Sequence, residues 1–298
     1  MLFDRQKLLL ALLDTLGGEV GNLDFQKLLF LYCTDIEEAP TYEFVPYKFG
    51  GFSFTSYADK RRLIEQELLM DEERAWHLTT EGKTAAVISV LDRSIMERFA
   101  RRYVDLRGDA LVAEAYRRHP YHAVRSEIAH RVLADDLDTL QAIDKARPRP
   151  IGPGICTIGY EGWTVEGYMN RLILAGVSLL CDVRRNPLSR KYGFSKGTLS
   201  KVCEGLGITY VHLPELGIAS EDRQALVTQA DYDALFAEYR VKTLPQQTPA
   251  LCEIQRWVIA GRRVALTCYE NDPRRCHRQC VAEELAKLFG SAFIPQQL

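Results

Sequence analysis

From residue 154 onward the sequence repeats one unit: a short apolar run rich in β-branched residues, a polar stop, then a segment with helical periodicity. The runs 155–159, 177–183, 208–213 and 264–268 read as strands, and 291–295 reads as a final one. Helical segments fall near 165–175, 197–206, 232–241 and 249–260. Strands that alternate with helices form parallel sheets through right-handed crossovers, which leaves few other folds open. The expectation is a Rossmann-like α/β domain over 154–298 with a mostly parallel sheet.

The stretch before it is punctuated by Pro148, Pro150 and Pro153 with Gly152 and Gly154, residues that end helices and free the chain, so a domain boundary is expected there. The first half has a different pattern. Leucines at helical spacing over 4–16 stop at Gly17-Gly18, and Asn22 or Asp24 is placed to cap a helix over 25–36. Residues 42–49 read as extended, Gly50-Gly51 as a turn, 56–70 as a charged helix and 76–79 as a short strand. Thr80-Glu81-Gly82 then opens a helix to about 96. Helices with a small hairpin predict a mainly helical, winged-helix-like domain over 1–96. Charged connecting helices follow over 97–147, the last capped at Asp135-Asp136.

Composition narrows the function classes. A length of 298 residues, 47% hydrophobic and 26% charged, suits two globular domains, and a net charge of −2 gives no overall pull toward nucleic acid or membrane. Anion binding must then come from local clusters. No apolar run reaches the roughly 20 residues of a membrane span, and the amphipathic start is unlike a signal peptide, so a cytoplasmic protein with no membrane partner is expected. The eight cysteines are scattered, which favours reduced thiols over a disulfide framework.

In an open parallel sheet ligands bind beyond the carboxyl ends of the strands. Here those ends carry Tyr160-Glu161, Asp182-Val183-Arg184-Arg185-Asn186, His212 and Cys268-Tyr269-Glu270. Arg275, His277 and Arg278 follow at the start of a helix. Residues 183–203 hold six basic side chains and no acidic one, which suits phosphate. Candidate chemistry lies with Cys268, Asp182, Glu161 and Glu270. Candidate substrate contacts are Tyr160, Arg184, Arg185, Asn186, Arg190, His212, Arg275, His277 and Arg278.

Two resemblances rest on quoted residues. Phe25-Gln26-Lys27-Leu28-Leu29-Phe30, Tyr47-Lys48-Phe49-Gly50-Gly51-Phe52 and Leu78-Thr79-Thr80-Glu81-Gly82 resemble the Panacea (SocA-like) antitoxin-type domain. Gly51 stands where that family usually has proline. The likeness implies a bacterial defence or regulatory setting. Thr157-Ile158-Gly159-Tyr160, Asp182-Val183-Arg184, His212-Leu213-Pro214 and Cys268-x-Glu270-x-Asp272-Pro273-x-x-Cys276-His277-Arg278 resemble the domain of unknown function 488 family. Many of its members read Thr-Ile-Gly-His-Ser at the first motif, so no histidine role carries over to Tyr160.

The residues leave two divisions of labour. Cys268, between a strand and a helix, is similar in setting to the nucleophile of rhodanese-like and cysteine phosphatase-like enzymes. Glu270, Asp272 and Pro273 occupy what would be an amide cradle for an anion, however, and that favours strand-end carboxylates as acid and base. Metal binding is not expected: Cys268, Cys276, His277 and Cys280 are suitable types, but Cys276 and Cys280 share one helical face and His277 falls off it. No glycine-rich dinucleotide or Walker loop occurs, so no cofactor is expected. The leading expectation is a nucleotide- or nucleic-acid-directed enzyme whose first domain recruits nucleic acid or a protein partner. The alternatives are a non-catalytic sensor of such ligands and a thiol-dependent enzyme using Cys268.

Overall fold

The structure is a computed structural model that describes residues 2–149, 151–219, 221–223 and 226–298; Pro150 of the expected linker lies outside the described residues. The chain divides into two compact units, Met1–Arg147 and Pro148–Leu298. No helix among the described residues is long and apolar enough to cross a membrane.

The first unit is mainly helical and is built around α2 (Asn22–Asp35). Every residue of α2 from Phe25 to Cys33 is buried. A helix apolar on nearly all sides has to sit inside its fold. Helix α1 (Asp4–Thr15) covers it with Leu9, Leu10, Leu12 and Leu13, and Trp76 and Phe99 complete the same core. Two small antiparallel pairs flank α2. Strand β1 (Glu19–Gly21) pairs with β4 (Ala75–His77), and β2 (Val45–Tyr47) with β3 (Gly50–Phe52).

Several sequence expectations move here. Gly21 stands at the α2 N-cap: Asn22 instead bonds the Glu73 carbonyl and the Lys60 amine, and Asp24 accepts from the Gly108 N–H. Gly50 and Gly51 belong to a strand, and Lys48 and Phe49 make the turn. Gly50 has φ +92°, and Phe30 packs where a Gly51 side chain would stand. The segment after Thr79 breaks into α4 (Thr80–Ala85) and α5 (Val90–Arg102). Asp136 does cap the following helix, Leu137–Lys145, through the Thr139 N–H.

The second unit is an α/β fold whose five strands among the described residues are all parallel. They are β5 (Gly154–Gly159), β6 (Leu179–Asp182), β7 (Thr209–His212), β8 (Arg263–Cys268) and β9 (Gln296–Gln297), in the order β7-β6-β8-β5-β9. Residues 291–293 form a 3-10 turn, so the final strand lies later than the sequence pattern placed it.

Side chains alternate across a sheet. In β8, Val264 and Leu266 face the core shared with α12 (Thr248–Ile259) and α13 (Arg278–Phe289). Thr267 faces α9 (Val165–Leu174), whose Tyr168 hydroxyl donates to it at 2.7 Å. This parity decides which strand-end residues can meet.

Candidate active site

Strand β8 is central, and its last residue, Cys268, shares the parity of Val264 and Leu266. Its sulfur therefore lies on the α13 side of the sheet, beneath the chain that leads into that helix. Residues 276 and 277 precede the first turn of α13, and His277 is its N-cap. Off the helix proper, both side chains reach the thiol: the sulfurs of Cys268 and Cys276 and a ring nitrogen of His277 lie within 4.8 Å of one another, all buried. The sequence expectation that His277 falls off this cluster is corrected, because the helix begins one residue later. Cys280 packs in the apolar core instead.

Hydrogen bonds fix each member. His277 Nε2–H donates to the Val183 carbonyl (2.9 Å), which leaves Nδ1 as the acceptor, 2.6 Å from Arg223 Nη2 and 3.7 Å from Cys268 Sγ. Arg223 Nη1 donates to Glu270 Oε1 (3.1 Å), and the other Glu270 oxygen is 3.3 Å from Cys268 Sγ. The Cys276 S–H donated to Cys268, aided by the Arg223 charge, holds the Cys268 thiol well below its ordinary range despite complete burial. Glu270 is pushed the other way, first by burial and then by the Cys268 thiolate. A proton lost by Cys268 therefore has a receptive carboxylate beside it.

Cys268, Cys276 and His277 are the residues that could hold a metal, and the Nε2–H bond to a carbonyl is the usual support for a ligating imidazole. Arg223 argues against it: its guanidinium already occupies the Nδ1 lone pair and supplies the positive charge that the thiolate needs.

Above the cluster opens a cavity of about 310 Å³, lined by Cys268, Tyr160, Arg184, Arg185, Asn186, Arg190 and Arg223, with Leu188, Ser189, Ile218 and Tyr269. Four arginines around so small a volume give it a positively charged lining, which can take up an anion. The basic loop is closed on itself, since Ser195 Oγ donates to the Ser189 carbonyl (2.9 Å) and accepts from the Ser189 N–H (3.0 Å), while Lys196 N–H reaches the Pro187 carbonyl.

Asp182 lies on the opposite face from Cys268, because it pairs in register with Thr267. It is fully buried: Oδ1 accepts from Arg184 N and Nε, and Oδ2 from Arg184 Nη2 (2.5 Å) and the Tyr210 hydroxyl (2.6 Å). Burial works against the Arg184 charge, and Asp182 more than offsets it. Arg184 also donates to Tyr160 Oη (2.9 Å) and lies over the Tyr160 ring, which stacks on Phe194 at 4.4 Å. Asp182 thus anchors an arginine of the cavity wall, an arrangement unlike that of an exposed base.

The other sequence candidates scatter. Glu161 is exposed and accepts from the Asn271 N–H (3.0 Å). His212 Nε2 donates to the Arg184 carbonyl (2.8 Å), and Nδ1 faces Lys196. Arg278 is fully buried and holds the Glu270 and Asn271 carbonyls, so the loop after β8 turns its oxygens inward. Arg275 is exposed, against the Tyr232 ring. None of these four lines the cavity. Sequence reasoning missed Arg223, whose turn at Glu221–Arg223 carries no periodic signal, and it weighed Cys276 only as a metal ligand.

Residues 164–285 match the family described as domain of unknown function DUF488. No curated protein and no solved structure matches the chain.

Proposed function

We propose that the second unit is an enzyme acting on a phosphate-bearing substrate, a nucleotide or nucleic acid, with Cys268 as nucleophile and Glu270 as its acid–base partner. One observation carries this reading: a buried thiol held low by Cys276 and Arg223 lines an arginine-walled cavity. The phosphate sits among Arg184, Arg185, Arg190 and Arg223. The thiolate then attacks the electrophilic centre, and the Cys268–substrate bond forms as the leaving-group bond breaks. Glu270, which takes up the proton that Cys268 gives up, passes it to the leaving group. As carboxylate it then takes a proton from water, whose oxygen displaces Cys268 from the intermediate. Thiolate and protonated Glu270 are restored. The geometry thus shifts weight from Asp182 to Cys268 and keeps one carboxylate in the work. Recruitment of nucleic acid or a protein partner by the first unit belongs to the same proposal and rests on its sequence resemblance alone.

The test is turnover of a panel of nucleotides, oligonucleotides and phosphate esters by wild type, Cys268→Ser, Glu270→Gln and Asp182→Asn. Cys268→Ser should lose on the order of 10²-fold or more, with a covalent adduct at Cys268 detectable by mass spectrometry in wild type. Stoichiometric binding without conversion of any compound would favour the sensor reading. A fully active Cys268→Ser would return the chemistry to the carboxylates.

A further inference from the structure

The first unit contains a second, unrelated cavity of about 270 Å³, formed where the turn between β2 and β3 meets helix α2. Its walls are the rings of Tyr47, Phe49, Phe52 and Tyr57, and its polar lining side chains are Asn22, Gln26 and Lys27. Two of these are committed elsewhere. Asn22 bonds the Glu73 carbonyl and Lys60, and Gln26 bonds Ser56 Oγ and the Ser53 N–H. Lys27 differs: it is 2% exposed, its amine donates to one carbonyl, that of Gly51 (3.0 Å), and no carboxylate among the described residues pairs with it. Burial alone pulls the amine down to about 7. An ammonium in an apolar site ordinarily comes with a counter-ion.

We propose that this cavity is a binding site for a small aromatic carboxylate, its ring held between the aromatic walls and its acid group paired with Lys27. The arrangement has the form of a ligand pocket, apolar walls with one orienting polar group, and the volume admits a single ring system with a short acidic arm. Phe52 and Tyr57 are already stacked at 5.1 Å, and Phe52 lies 5.0 Å from Tyr47, so the walls are preformed. Phe49, 46% exposed, stands at the rim. The ligand supplies the charge that Lys27 lacks, and Lys27 distinguishes an acid from its neutral analogue.

The probes are benzoate, phenylacetate and indole-3-acetate, each compared with its neutral amide by saturation-transfer NMR and titration against the full-length protein. At least one acid should bind, its amide about ten-fold or more weakly, and Lys27→Met should abolish the difference. Phe49→Ala, at an exposed position, should weaken the acid several-fold while the fold persists, and it decides the matter if Lys27→Met does not fold. The site is refuted if none of the acids binds, if acid and amide bind alike, or if either folded variant binds the acid as wild type does. None of these results depends on activity in the second unit.

Discussion

At the level of single residues, one unit of strand parity separates two of the four groups that the sequence suggested as catalytic. Cys268 and Asp182 both end strands, yet Asp182 pairs in register with Thr267 and turns to the α9 face, where Arg184 and Tyr210 take both of its oxygens. Strand ends are legible in apolar runs, but the register between strands is not, and a shift of one residue exchanges faces. The thiol donated by Cys276 is the leading cause of the low Cys268 pKa, so Cys276→Ala should raise that pKa and slow alkylation of Cys268 near pH 7. Peptide mass spectrometry of iodoacetamide-treated protein would measure this, with the half-exposed Cys252 as internal reference. An unchanged rate would remove Cys276 from the account. Lys27 yields a second expectation. Its amine falls from 10.5 to about 7 on folding, so the unfolded chain holds the extra proton between those values and this group's contribution to stability rises with pH across that window. Lys27→Met should therefore be more stable than wild type at pH 6–7, by a few kcal/mol at most, with the difference shrinking toward pH 10. Chemical denaturation at the two pH values measures it, and a gap independent of pH would show that Lys27 keeps its ordinary pKa.

At the level of elements, the site is made by two loops that the sheet brings together and glycines allow to close. Pairing of β5 with β8 continues past the strands, where Tyr160 N–H reaches the Cys268 carbonyl and Glu161 N–H that of Tyr269. A Cβ on Gly159 would stand 1.9 Å from the Glu270 carbonyl oxygen, and one on Gly217 2.1 Å from Arg185 N. Gly159→Ala should push the loop after β8 outward, cost about 1–3 kcal/mol or more, and return Cys268 toward ordinary thiol behaviour, since Glu270 and His277 belong to that loop. A denaturation midpoint and an alkylation rate that both match wild type would show that the loop does not depend on this close approach. The basic loop was visible in the sequence as a run of positive charge, but its closure through Ser189 and Ser195 was not, because either serine alone reads as a solvated hydroxyl. Arg223 was hidden for a related reason: a lone arginine in an irregular turn acquires meaning only when the turn is brought over His277.

At the level of the whole molecule, two units of different construction lie in one chain, one built on a buried central helix in Met1–Arg147 and one on a covered parallel sheet in Pro148–Leu298. The α/β class of the second unit was legible because strand and helix periods differ. The final strand was not, since two paired residues are too short for any periodicity. Each unit has its own apolar cluster, so residues 148–298 produced alone should fold and keep the reactive thiol. The most direct test of the central claim is the pH dependence of Cys268 alkylation by iodoacetamide, followed peptide by peptide, with and without inorganic phosphate. Reaction should persist well below pH 8, millimolar phosphate should protect the thiol, and Arg190→Ala should lose that protection. A Cys268 that titrates like a free thiol, near pH 8.5, and that phosphate does not shield would contradict the central claim.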